Sequence, residues 1–202
     1  VLTKKGSATR QRIIEAAATE IRERGIGNVT LDDIGRRSNT GKSQLFHYFP
    51  EGREQLLLAV AQREADRVIE DQQPYLSELT SWEAWRRWRD VVVDRYRRLG
   101  VNCPLGALIT EIDRRTPAAQ EVTRQLFVQW QRQVEIGIRQ MQDLGEIDPE
   151  LDAPSAASAV IAAIQGGVVI LMTTGSARHL EAALDFCLDH LRGAQLRPSG
   201  KH

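Results

Sequence analysis

The sequence predicts an all-α protein, with an N-terminal three-helix helix-turn-helix head ahead of a C-terminal helical bundle, about nine helices in all. Three observations predict it. Apolar residues recur at helical spacing along most of the chain, and no period-two run is long enough to argue for a sheet. The stretch Thr30 to Phe49 reads as two short helices joined by a tight polar turn. Gly25, Pro74, Pro117 and the run Gly145 to Pro149 fall between periodic segments, where helices stop.

The elements follow in order. Ile14, Ala17, Ala18 and Ile21 form the inner face of a first helix that ends at Gly25. Thr30 with Asp33 makes a capping-box-like start, in which the hydroxyl satisfies an orphan N–H and the acid favours the positive helix end. Leu31 and Ile34 share a face, Gly35 leaves room for a close crossing, and Ser38-Asn39-Thr40-Gly41 breaks the pattern. The next helix carries Leu45 and Phe49 inward at i,i+4 spacing and leaves Lys42, Ser43, Gln44 and His47 outward. A longer helix starts near Gly52 or Arg53 and runs to about Gln73, before Pro74. Another spans about Trp82 to Leu99, with Trp85, Trp88, Val92 and Tyr96 on one stripe. A helix begins at Pro104, a favoured first-turn residue, and ends before Pro117. Val122, Leu126, Trp130, Val134, Ile138 and Met141 then repeat at helical spacing. The segment Ala153 to Gly175 carries no charge, and a last helix from about Ala177 to Leu196 aligns Leu180, Leu184, Leu188 and Leu191. This divides the chain into a helix-turn-helix head, 1–51, and a C-terminal helical bundle, 52–202.

Composition allows a sizeable core, at 202 residues and 42% apolar content. The formal net charge is +0, yet the halves differ. Residues 1–50 hold nine Lys and Arg against five acids, and the remainder carries a matching acidic excess. A positive head with an acidic remainder suits attraction to phosphate, and the helix-turn-helix pattern favours that over an ordinary solvated face. Only Cys103 and Cys187 are present, with no CxxC, so neither a zinc site nor a disulfide framework is expected and the compartment reads as reducing and cytoplasmic. Lys4 and Lys5 are followed by an amphipathic helix and not by the apolar run of a signal peptide. Ala153 to Gly175 is long enough to span a bilayer, but Pro154, Ser155, Ser158, Gln165 and Thr173 dilute it, so it reads as a buried helix and no membrane partner is expected.

A second helix with short or bidentate donors at its outward N-terminal end, docked across a first, is how helix-turn-helix proteins enter the major groove. At Thr30, Ile34, Ser38-Asn39-Thr40-Gly41-Lys42-Ser43 and Phe46-His47-Tyr48-Phe49-Pro50, followed by Glu54 and Leu56, the chain resembles the TetR family of one-component regulators. Gly41 stands where Ser is common and Ser43 where Gly is common. The run Pro50-Glu51-Gly52-Arg53-Glu54-Gln55-Leu56 is a residue longer than the commonest family linker, and Asn102-Cys103-Pro104-Leu105-Gly106-Ala107-Leu108 with Glu111 also recurs. Both are similar to the subgroup that responds to lincomycin-type antibiotics and flavonoids.

The expected reading residues are Lys42, Ser43 and Gln44, with Thr40 and Gly41 at the turn. Thr30, His47, Tyr48 and the basic Lys5, Arg10 and Arg53 are expected on phosphates. Trp85, Trp88, Phe127 and Trp130 are aromatic walls of a small-molecule pocket, with Val92, Cys103, Leu108 and Val169 beside them and Gln165 as a lone amide. The same aromatic residues serve equally as plain core. Ser155, Ala159, Ala163 and Gly167 repeat every fourth residue, a face with little bulk that lets another backbone approach, and with Leu184, Leu188 and Leu191 they form the expected dimer seam. No metal-ligand pairing, Gly-rich phosphate loop or GxSxG element occurs, so no catalytic residue, metal or cofactor is expected. The expected function is a homodimeric repressor, released from a palindromic operator on double-stranded DNA by a small apolar or aromatic effector. Two alternatives stand beside it: an enzyme using Cys103, and an adaptor whose head docks a protein.

Overall fold

The computed structural model describes residues 3–100, 105, 108 and 116–193. Among them are eight α-helices and two 3-10 turns and no strand, as expected for an all-α chain. The helices are α1 (Lys4–Arg24), α2 (Leu31–Ser38), α3 (Lys42–Tyr48), α4 (Arg53–Glu70), α5 (Trp82–Leu99), α6 (Pro117–Asp143), α7 (Ala153–Thr174) and α8 (Arg178–Gly193). The helix expected from Pro104, with Cys103, lies outside the described residues except for Leu105 and Leu108, both helical, and Leu108 is fully buried. Leu196 also lies outside them.

Local chemistry sets the ends. Thr3 accepts from the Gly6 N–H at 3.1 Å to start α1, and Ser81 accepts from Ala84 at 3.2 Å to start α5. Thr116 does the same for Ala119 at 3.3 Å, ahead of Pro117 in the first turn of α6. α4 stops at Glu70, three residues earlier than the apolar spacing predicts, because the chain turns before it reaches Pro74.

Two compact units emerge: residues 1–67 with 102–124, and residues 68–101 with 125–202. In the first, Ile13, Ile14, Ala17 and Ile21 of α1 are buried with Ile34, Leu45 and Phe49. The unit reaches past the head to Arg67, and ion pairs tie α1 to that part of α4. Glu64, only 4% exposed, accepts from Arg22 and from Arg67 at 3.0 Å, and Glu15 pairs with Arg63 at 2.7 Å and with Arg67. Burial alone would raise the Glu15 carboxyl, but Arg63 and Arg67 outweigh it and hold it below its ordinary value.

In the second unit the expected stripes are buried: Trp85, Trp88, Val92 and Tyr96 on α5, and Trp130, Val134, Ile138 and Met141 on α6. Each large side chain fully buried contributes about 1.5–3 kcal/mol. α7 and α8 pack as a close pair, because Gly167 lies on Leu180: a Cβ there would come within 2.5 Å of the Leu180 Cα. This corrects part of the expected seam. Gly167, Leu184, Leu188 and Leu191 are buried inside the single chain, and Gly167 meets Leu180 across the α7–α8 pair. Ser155 and Ala159 are exposed and Ala163 half-buried, so the small-residue face survives only along that outer edge.

Candidate nucleic-acid interface and effector core

The head is built around a tight crossing of α2 and α3. Thr30 closes the full capping box: its hydroxyl accepts from the Asp33 N–H at 3.2 Å, and the Asp33 carboxylate accepts from the Thr30 N–H at 2.9 Å. The Thr30 hydroxyl, then its N–H, and behind them Arg24, hold Asp33 far below the usual carboxylate range. α2 ends at Asn39, which adopts the left-handed conformation (φ 49°) that Asn tolerates better than most residues. Gly35 is required by the turn, since a Cβ there would meet the Thr40 carbonyl oxygen at 2.9 Å. The room that Gly35 leaves is therefore for the turn backbone and not for the face of a second helix.

α3 buries Leu45 and, just beyond its end, Phe49, and presents Lys42, Ser43, Gln44 and His47 to solvent, with Gly41 exposed at its start. Phe46 joins them at 39% exposure, an outward apolar side chain that the i,i+4 pattern did not single out. His47 meets Tyr48 edge-on at 5.0 Å, and Tyr48 is half-buried. Other expected contacts are engaged within the chain. Thr40 is buried and donates to the Ser38 carbonyl at 3.2 Å, which removes it from the reading surface. Arg53 donates to the carbonyls of Val29 at 2.6 Å and Ile26 at 2.8 Å, so it fastens the start of α4 to the turn after α1 and is not a free cation. Arg10 lies over the Phe49 ring at 5.1 Å, and Arg12 donates to the Ser38 carbonyl at 2.9 Å.

Ion pairs thin the basic excess of the head. Arg24 and Arg37 meet at the buried Glu20, whose carboxyl is held low chiefly by its hydrogen bond from Arg37, and Arg36 meets Asp33. The lysines Lys4, Lys5 and Lys42 stand exposed without an ion pair among the described residues, at the N-terminal ends of α1 and α3. Positive charge free to meet phosphate is thereby left at the N-terminal ends of α1 and α3. An open groove of about 410 Å³ runs between α2 and α3, past Asp32, Gly35, Arg36, Lys42 and Phe46.

In the second unit, Trp85 and Trp88 meet edge-to-face at 5.7 Å, and the Trp88 indole N–H donates to Gln72 at 2.8 Å. Gln72 is buried and its own amide donates to the Val68 carbonyl; its place after the end of α4 left no periodic signal to find it by. The indole N–H groups of Trp85 and Trp130 are buried and have no partner among the described residues. An unmet buried donor costs about 1–3 kcal/mol. Phe127 and Gln165 are half-buried. Val169 is 62% exposed and does not line this core, a correction to the expected pocket. Arg89 is held by Asp185 at 2.8 Å through both of its forked nitrogens.

Comparison with known proteins places these features. The model of the bacterial regulatory proteins of the tetR family matches residues 13–60, and that of the tetracyclin repressor-like C-terminal domain matches residues 82–187, more than half of the chain. The chain belongs to the TetR family. A helix-turn-helix transcriptional regulator of Mycobacterium tuberculosis is 28% identical over 108 residues, covering 50% of this chain and 52% of that one, so the match spans about half the length of that relative. A TetR regulator from Chloroflexus aurantiacus is 25% identical, with a TM-score of 0.72 over 93% of this chain and 96% of that one. SmeT, the repressor of the Stenotrophomonas maltophilia multidrug efflux pump SmeDEF, is 20% identical with a TM-score of 0.66, over 97% and 96% of the two chains, and shares the fold. TetR regulators are soluble transcription factors and not enzymes, which removes the Cys103 enzyme alternative. The family binds DNA operators and small-molecule effectors and acts as dimers.

Proposed function

We propose that this TetR regulator is a cytoplasmic, homodimeric repressor that sits on a palindromic operator and is released by a flat, mostly apolar effector. The observation that carries it is the outward face of α3: Lys42, Ser43, Gln44, Phe46 and His47 exposed together, with Lys4 and Lys5 exposed at the start of α1. Short and bidentate donors at the N-terminal end of a recognition helix suit base edges, and free lysines suit phosphates. The head is residues 1–51, and the ligand-binding and dimerisation domain is the rest.

Dimerisation is supported by the uncovered side of the α7–α8 pair, where Val169 is 62% and Phe186 74% exposed beside the outward Ala159, Ala162 and Gly166. An apolar patch of this kind on a chain that needs two heads for a palindrome is a natural seat for a second copy. The effector reading is supported by the aromatic core of Trp85, Trp88 and Trp130 and by the likeness at Asn102 to Leu108 to repressors responding to lincomycin-type antibiotics and flavonoids. SmeT has been solved with triclosan, a comparison at 21% identity. Arg89, held by Asp185, argues against an anionic ligand anchored there.

Selection of genomic fragments tests the reading. It should return an inverted repeat whose half-site centres lie about 34–36 Å apart or a multiple of that. Binding should weaken steeply with salt. A selection without an inverted repeat overturns the proposal.

A further inference from the structure

Two donors in the core of the second unit have nothing to donate to among the described residues. Trp85 and Trp130 are fully buried, and neither indole N–H has a hydrogen-bond partner there. Trp88, equally buried and one turn from Trp85, gives its N–H to Gln72, so this core supplies an acceptor where a tryptophan is purely structural. Buried donors in native proteins are paired as a rule, and an orphan asks for a ligand or a water that completes it. Two orphans in one core narrow the choice. The Trp85 ring packs close to Gly137 of α6, where an added Cβ would lie 3.2 Å from it, and Trp130 sits about two turns, or roughly 10 Å, back along the inner stripe of the same helix. Val92, Val134 and Ile138 are fully buried on the same two helices.

We infer that the effector is a flat, uncharged molecule bearing hydrogen-bond acceptors at two separated points of its skeleton, carbonyl or ether oxygens, and that the indole N–H groups of Trp85 and Trp130 hold them. This rests on the reading of the protein as an effector-released repressor and names what that effector must carry. The indole N–H is a neutral donor with no acceptor capacity, so it selects an oxygen without requiring negative charge. A buried site built to donate rejects the analogue that lacks the acceptor, because binding that analogue seals the donors away unpaired. Aromatic faces supply the stacking and the two N–H groups supply the discrimination.

The test uses the full chain with nitrogen-labelled tryptophan and two pairs of flat probes, fluorenone with fluorene and anthraquinone with anthracene. The oxygen-bearing member of a pair should bind about tenfold tighter, the factor that 1.4 kcal/mol gives. Anthraquinone, with two oxygens, should move the indole resonances of both Trp85 and Trp130, and fluorenone, with one, that of one of them, more than that of Trp88, whose N–H is already taken. Incorporating benzothienylalanine at position 85 or 130 keeps the bicyclic shape and removes one donor, so the melting temperature should hold while the preference within the anthraquinone pair shrinks. Equal affinities within both pairs, or both resonances unmoved by every probe, overturn the inference. Operator release by a molecule that leaves both resonances in place also overturns it and leaves the repressor reading intact. Movement of both resonances with the operator still bound supports the donor assignment and overturns the effector reading instead.

Discussion

Asp33 is the residue on which the head turns, because one carboxylate completes the capping box of α2 and meets both Arg24 and Arg36. Its pKa is depressed in the folded state, so its contribution is fully present above the unfolded carboxylate value of about 4 and is lost as pH falls through the folded one. Asp33→Asn should therefore destabilise the protein at neutral pH, and the gap from wild type should close as pH is lowered from about 5 to about 2. Urea titrations across that range measure it, and a gap independent of pH would assign the loss to packing. Gln44 and Tyr48 separate reading from positioning. Gln44 is exposed at the start of α3, and its replacement by Ala should change base preference at one position of each half-site by about 1–3 kcal/mol. Tyr48→Phe removes the hydroxyl of a half-buried residue and should weaken all sequences alike. The same uniform loss from both would reverse the assigned orientation of α3.

At the scale of elements, the α7–α8 pair offers two adjacent glycines in different surroundings. A Cβ at Gly167 would strike the Leu180 backbone, whereas one at Gly166 meets nothing within 4 Å. Gly167→Ala should cost about 1–3 kcal/mol by overpacking, outweighing the gain in helix propensity of up to about 1 kcal/mol that Gly166→Ala keeps in the isolated chain. Melting of the two variants at a concentration low enough to hold the chain monomeric checks this. Equal effects would show that α7 and α8 do not meet at Gly167. The ion-pair network between α1 and α4 is the other element-scale device. Glu64→Gln leaves Arg22 and Arg67 without their shared carboxylate, and should cost about 2 kcal/mol, below the 3–5 of a fully buried pair because both arginines keep contact with water. Chemical denaturation measures it, and a neutral result would make the network a surface feature. The helices themselves were legible in sequence because Leu126, Trp130, Val134, Ile138 and Met141 keep one period over a long run. What spacing could not supply was direction: Leu184, Leu188 and Leu191 form as regular a stripe as any seam, yet they face their own chain. Thr40 and Arg53 escaped for a related reason, since a threonine in a turn or an arginine at a helix start looks available until its partner carbonyl is known.

At the scale of the whole molecule, the proposed palindromic operator calls for two heads on one particle, and the exposed side of α7 and α8 is where the second copy is expected. Phe186 and Val169 are already in solvent in the single chain, so a charged replacement at either leaves the fold of the protomer alone. In a dimer that covers this side, Phe186→Arg and Val169→Arg would bury an unpaired charge, and dissociation is the cheaper outcome. Both variants should sediment as folded monomers with unchanged helical circular dichroism. Their operator affinity should fall by about 100-fold or more, because the second head no longer binds at the high effective concentration set by its partner. Val128→Arg supplies the control, since Val128 is 56% exposed on α6, a helix outside the proposed α7–α8 seam, and that variant should remain dimeric and bind the operator normally. If Phe186→Arg and Val169→Arg stayed dimeric at the concentrations where wild type does, the second copy would have to sit elsewhere, and the exposed phenylalanine would need another partner.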